Sequence, residues 1–145
     1  MTRIRKKTWN QKVKIVHDSF LRSSSHPSFA SDFYENLFFL NPKIKDNFKN
    51  TDFEHQHKAI LHGMEFLMNF LDGSNEHARA QVLRIARSHS QSGMAIHPHF
   101  YSYWIEALIM TSKKLDHLWY DDLEYYWREV INLPVSFIIS QYYKS

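Results

Sequence analysis

The sequence predicts an all-α fold, and three observations carry this prediction. Apolar residues recur at intervals of three and four along almost the whole chain, the spacing of one face of an α-helix. The 145 residues include only 3 glycines and 4 prolines, too few for a turn-rich β structure. Aromatic residues make up 16% of the chain, enough for one substantial core. A single domain spanning residues 1–145 is therefore expected.

Six or seven helices without a strand are expected from the apolar periodicity and the residues that interrupt it. The stretch 50–52 can cap a long helix, 72–74 should end it, and 43–48 should form a short turn. Pro98 suits a first helical position, and Pro134 should kink the last helix. The helices are expected at about 8–21, from about 29 until Asn41-Pro42, at about 52–71, at about 76–90, from Pro98 through Leu108, and at about 120–143.

Composition excludes several classes of function. The chain has no cysteine, so disulfides, thiolate metal sites, iron–sulfur clusters and cysteine nucleophiles are ruled out. Residues 1–7 hold four basic side chains without a following apolar run, which favours a disordered basic N-terminus over a signal peptide. No segment approaches the roughly 20 apolar residues of a membrane span, and the net charge is only +3. A cytoplasmic protein that binds neither nucleic acid nor membrane is expected.

Among the ten histidines, His89 differs from the others. Most fit solvated positions; His55 and His57, two apart on a helix, point about 200° from each other and cannot chelate one ion together. His89 ends an apolar face, because Val82 and Ile85 lie seven and four residues before it. An inward histidine at a helix end is either a buried core residue or a metal ligand. The spacing alone leaves both open, and no HExxH or Glu-x-x-His repeat indicates another metal site.

The sequence around His89 resembles the proximal region of bacterial single-domain globins related to the globin domain of flavohaemoglobins. Within 86–104, the helix that ends at His89 is followed by an apolar-x-Pro sequence ending at Pro98, and then by Tyr101 and Trp104. Further similarity spans about 9–143. Its other stretches are Phe33–Phe38 followed by Asn41-Pro42, Phe48, Thr51–Ile60, Trp127–Val130 and Tyr142.

The resemblance implies a globin fold of six to eight helices around a haem pocket, which periodicity alone does not separate from a helical bundle. It implies one haem b per chain, with His89 as the iron ligand through its outer ring nitrogen, and Phe48 stacked on the porphyrin. Its other implied wall residues are Ile60, Met64, Val82 and Ile85. The candidates for pairing with the haem carboxylates are Lys58, Arg84 and Arg87.

On the other face of the haem, the resemblance implies a ligand-binding pair, Tyr34 and Gln56. The Tyr34 hydroxyl would donate a hydrogen bond to a bound gas that carries partial negative charge, and Gln56 would donate to the gas or to the tyrosine oxygen. A one-residue error in helix phase would bring His55 or His57 inward instead. Gln56 is favoured because Ile60 then lies on the same face.

Two departures from the flavohaemoglobin pattern affect chemistry. In that family a tyrosine and a glutamate from the last two helices make the proximal histidine more basic; Tyr101 matches the tyrosine, but Gln141 stands at the place of the glutamate. A neutral partner implies a weaker, less peroxidase-like effect on His89. The printed sequence ends at Ser145, which leaves no length for flavin or nicotinamide domains.

Three classes of function stay open. The first is a haem protein that reversibly binds oxygen, nitric oxide or carbon monoxide for storage, transport or sensing. The second is a nitric oxide dioxygenase that forms nitrate with an external reductase. The third is a helical module without haem. No catalytic side chain is assigned, and the sequence does not indicate the oligomeric state.

Overall fold

The computed structural model describes residues 6–71, 76–94 and 96–144. These residues form six α-helices and one 3₁₀ helix, with no strand among them, so the all-α prediction is confirmed. The α-helices are α1 (Trp9–Ser24), α2 (Phe29–Leu40), α3 (Phe53–Phe70), α4 (Glu76–Ser88), α5 (Phe100–Leu115) and α6 (Leu123–Ser140), and the 3₁₀ helix spans Pro42–Phe48.

Local side-chain chemistry explains where the helices that surround the candidate site begin and end. The Asp52 carboxylate accepts hydrogen bonds from the N–H groups of Glu54 and His55 at 3.1 and 3.3 Å, which caps α3 as the sequence predicts. Asn41 ends α2, and its side-chain oxygen accepts from the Lys43 N–H at the start of the 3₁₀ helix. The stop expected at 72–74 and most of the expected disordered N-terminus lie outside the described residues.

Several expected helix boundaries differ from those in the structure. The fifth helix begins at Phe100 rather than at Pro98, because His97 and Pro98 accept i+3 hydrogen bonds from Phe100 and Tyr101, which makes this stretch a turn. The last helix spans 123–140 rather than about 120–143, since i+3 bonds close turns at both of its ends. Helix α4 ends at Ser88, which places His89 just beyond it.

One apolar cluster joins all six α-helices. Trp127, Leu123, Val16 and Val82 are completely buried within it, and Pro134 is buried inside α6. None of the helices in the described ranges combines the length and the apolarity needed to cross a membrane.

A buried carboxylate links α1 to the end of α5. Asp116 accepts from the Ser19 hydroxyl at 2.6 Å and from Arg22 at 2.6 and 2.9 Å, and the Leu118 N–H donates to it at 2.9 Å. Burial opposes ionisation of Asp116, but these hydrogen bonds and the Arg22 charge outweigh it and hold its pKa below the ordinary value. No local motif indicates this network, because Asp116 lies 97 and 94 residues after Ser19 and Arg22.

Asp116→Ala is expected to lower the free energy of unfolding by about 3–5 kcal/mol, because the substitution leaves Arg22 and Ser19 without their buried acceptor. Since the folded pKa of Asp116 is depressed, the carboxylate stabilises above its unfolded pKa of about 3.9, and that contribution is lost as pH falls further. Urea unfolding at pH 7 and pH 3 measures both effects. The exposed Asp121→Ala serves as control, and equal stability of the two variants at pH 7 would contradict the assignment.

Candidate functional site

A cavity of about 470 Å³ lies between the 3₁₀ helix and all of the α-helices except α1. Its wall is mostly apolar, and it reaches solvent at the exposed lining residues Asn47, Ala59 and Met94. Its size and character are those of a pocket for a cofactor or another small molecule. Of the residues singled out in the sequence, the wall contains Tyr34, Phe48, Gln56, Ile60, Met64, Ile85, His89, Tyr101 and Trp104.

The backbone at the end of α4 fixes His89. Its Nδ1 lies 2.7 Å from the Ile85 carbonyl oxygen and 3.0 Å from the Ser88 hydroxyl. Because a carbonyl oxygen can only accept, Nδ1 carries the proton and Nε2 keeps its lone pair. Burial lowers the pKa of His89 against the opposing effect of the Ile85 hydrogen bond, which favours the neutral, metal-binding form of the imidazole.

The loop after His89 folds back on the end of α4 and supplies part of the wall. The Met94 N–H donates to the Ser88 carbonyl at 2.8 Å, and the Ile96 N–H donates to the His89 carbonyl at 3.0 Å. A Cβ atom at Gly93 would collide with the carbonyl oxygen of Ser88, so this close return requires glycine. The loop thereby brings Met94 and Ile96 to the cavity beside the imidazole.

Tyr34 and Gln56 meet in the cavity wall as the sequence analysis expects. The Gln56 amide Nε2 donates to the Tyr34 hydroxyl oxygen at 2.8 Å. Since the oxygen accepts this bond, the Tyr34 O–H proton is free to be donated elsewhere. Burial raises the pKa of Tyr34 above its ordinary value, although the Gln56 bond acts in the opposite direction, so the hydroxyl stays protonated at neutral pH.

Aromatic rings hold the Tyr34 side chain in place. The His57 ring stacks on it at a centroid distance of 5.7 Å and an interplanar angle of 12°, and the Phe33 and Phe48 rings meet it edge-on at 5.1 and 5.6 Å. His57 therefore contacts the Tyr34 ring, while Gln56 reaches the hydroxyl. The helix phase is the one that the sequence analysis favours.

Several predicted site residues lie elsewhere among the described residues. Val82 is completely buried in the helical core rather than at the cavity wall. The Gln141 amide donates to the Ser140 hydroxyl at 3.2 Å and is not part of the wall. The described part of the wall also contains no lysine or arginine. The basic side chains singled out in the sequence are exposed and lie outside this wall: Lys58, Arg84 and Arg87.

Tyr101 lines the cavity, and burial together with the nearby Tyr142 raises its pKa to about 12. The hydroxyl is therefore protonated throughout the physiological range. The Nδ1 proton of His89 is held by the Ile85 carbonyl and not by the Tyr101 hydroxyl.

Sequence reasoning missed 13 of the 22 residues in the described wall. Gly63 and Leu67 lie seven and eleven residues after Gln56 on α3, so helical spacing from Gln56 could have identified them. A Cβ atom at Gly63 would meet nothing within 4 Å, which shows the open space beside it. Asn47 and Thr51 had no comparable signal, because they lie outside the α-helices. The other wall residues are Leu37, Ile44, Ala59, Met94, Ile96, Phe100, Val135 and Ile138, with Phe33.

Comparison with solved structures shows that the chain has the globin fold. It matches the crystal structure of protein PA3967 from Pseudomonas aeruginosa, which is described as structurally highly homologous to a human hemoglobin, with a TM-score of 0.83 and 25% sequence identity. The match covers 90% of this chain and 98% of the other. No protein-family model matches the sequence, and neither does any curated protein.

Proposed function

We propose that this chain is a haem-binding globin that holds one haem b through His89 and reversibly binds a diatomic gas beside Tyr34. The observation that carries the proposal is the state of the His89 ring. It lines an apolar cavity with Nδ1 bonded to a carbonyl, so the nitrogen that remains is a lone-pair donor. A histidine that only fills the core would not be expected to line an open cavity.

The residues present fit a haem group. The wall is apolar enough to take a porphyrin, and the half-buried Phe48 offers an aromatic face for stacking. The haem carboxylates need polar surroundings, and Asn47 and Thr51 supply them where the cavity approaches solvent.

When bound, haem would supply an iron centre that can bind a small gas. His89 would hold that iron through Nε2, and the Ile85 carbonyl fixes the imidazole tautomer and orientation. A neutral carbonyl attracts the Nδ1 proton less strongly than a carboxylate would, so the imidazole stays only moderately electron-rich. The Tyr34 O–H would donate to the gas, Gln56 holds the oxygen of that hydroxyl, and the apolar wall would keep water away.

Reversible oxygen binding tests this function. The reduced, haem-loaded protein should pass between deoxygenated and oxygenated spectra through repeated cycles of argon and air, with shared isosbestic points. Spectra of the carbon monoxide complex, recorded under the same conditions, should show a single haem species. Immediate oxidation to the ferric form in every cycle would exclude oxygen storage or transport.

Nitric oxide dioxygenation is a second candidate, which the Tyr34–Gln56 bond favours. The Gln56 amide holds the Tyr34 hydroxyl, and a fixed donor would stabilise bound oxygen and slow its release. Slow release suits a reaction at the bound oxygen more than oxygen delivery. One nitric oxide, one oxygen molecule and one electron give one nitrate ion, so an external reductase must supply the electron. The cytoplasmic location that the composition favours would allow such a partner.

Stopped-flow mixing of the oxygenated protein with nitric oxide separates the two candidates. Sustained nitrate formation with an NADH-dependent flavin reductase would favour the dioxygenase. A single turnover that the reductase cannot renew would favour oxygen binding as the function.

A further inference from the structure

The turn between α4 and α5 holds two histidine side chains in contact with each other. The Nδ1 atoms of His97 and His99 lie 2.5 Å apart, and the ring centroids lie 4.5 Å apart at an interplanar angle of 54°. Both residues are exposed, and neither lines the cavity among its described wall residues. The pair is therefore separate from His89 and open to solutes.

Two imidazole nitrogens at this distance cannot both present bare lone pairs to each other. The backbone N–H of His99 donates to Nδ1 of His97 at 3.3 Å, so that nitrogen is an acceptor without a proton of its own. The Nδ1 of His99 therefore faces this lone pair with a proton that it donates, as in a neutral imidazole tautomer. A metal cation that displaced this proton would be bound by both nitrogens.

The backbone prepares this arrangement in advance. Pro98 separates the two histidines, and its ring fixes the φ angle of the connecting residue. The His97 ring packs against Tyr142 at 5.9 Å, and the His99 ring packs against Phe100 at 4.2 Å. Because both rings are held by neighbours, little side-chain freedom is lost when a ligand binds them together.

We propose that His97 and His99 form a bidentate surface site for a divalent transition-metal ion, with Cu²⁺ bound most tightly. Two cis nitrogen ligands at about 2.0–2.1 Å from one metal lie about 2.9 Å apart, so the rings need open by only about 0.4 Å. Imidazole suits copper, nickel and zinc, and the general affinity order places Cu²⁺ first. Water fills the remaining coordination positions.

Copper titration of the full chain as purified tests the site. Electron paramagnetic resonance should show one equivalent of Cu²⁺ with hyperfine splitting from two nitrogen ligands, in a region distinct from a ferric haem signal. His97→Ala and His99→Ala should each weaken binding by about tenfold or more, since each removes the intramolecular second contact. Zn²⁺ should compete for the same equivalent.

The matched control removes two other exposed imidazoles, in the double variant His62→Ala and His117→Ala. It should keep the wild-type copper affinity and the two-nitrogen signal. The proposal is overturned if the control loses copper as strongly as the loop variants, or if either loop variant retains the wild-type affinity. Unchanged circular dichroism of all the variants would show that the fold is intact.

Discussion

Replacing His89 with alanine is expected to abolish tight haemin binding, and added imidazole is expected to restore it. The loss should exceed about a hundredfold in haemin affinity, because outer partners of a metal ligand alone typically contribute 10–100-fold and this change removes the ligand itself. The cavity left by the side chain can admit free imidazole from the solvent. Difference spectra near the Soret region, with and without imidazole, measure both effects.

His99→Ala is the control for this experiment. It removes an exposed histidine from the turn between α4 and α5, outside the described cavity wall. Its haemin affinity and spectrum should match those of the wild type. A His89→Ala protein with wild-type spectra in all oxidation states would remove the ligand assignment, and with it the proposed function.

The second large effect is expected at Tyr34. Tyr34→Phe should raise the oxygen dissociation rate about ten- to a hundredfold, because a hydrogen bond to a partly charged ligand contributes about 1.5–3 kcal/mol. The ring packing should persist, since phenylalanine keeps the contacts with Phe33, Phe48 and His57. Stopped-flow replacement of oxygen by carbon monoxide measures the rate.

A double-mutant cycle with Gln56→Leu shows how the pair works. If Gln56 acts by aiming the Tyr34 hydroxyl, its own substitution should have a smaller effect, and it should add little in the Tyr34→Phe background. Tyr103→Phe, at a half-buried position outside the described wall, should leave the rate unchanged. An unaltered off-rate in Tyr34→Phe would move the donor role to Gln56 or His57.

Periodic apolar patterns were sufficient to predict most of the helices, whereas the globin arrangement was implied only by the family resemblance. The second helix ends at Leu40, where Asn41-Pro42 indicates its end, and Asp52 caps the third as expected. Pro98 misled the prediction because proline is favoured both in turns and in the first helical turn. The i+3 hydrogen bonds that make residues 97–101 a turn depend on how the whole loop packs.

Site residues were predictable where helix phase and a family motif indicated the same position. Ring direction and helix phase bring His89, Tyr34 and Gln56 to one cavity, as the motifs imply. Val82 was wrongly predicted to line the cavity, since a core position and a wall position on α4 have the same apolar character. Long-range contacts such as that of Asp116 with Ser19 leave no local signal in the sequence.

Haemin titration of the purified apoprotein tests the central claim most directly. If the imidazole of His89 and the surrounding cavity form a haem pocket, a sharp Soret band should grow with added haemin and saturate at one equivalent per chain. Reduction under carbon monoxide should then shift the band to the position typical of a histidine-ligated carbonyl haem. A titration that yields only the broad spectrum of free haemin would contradict the claim.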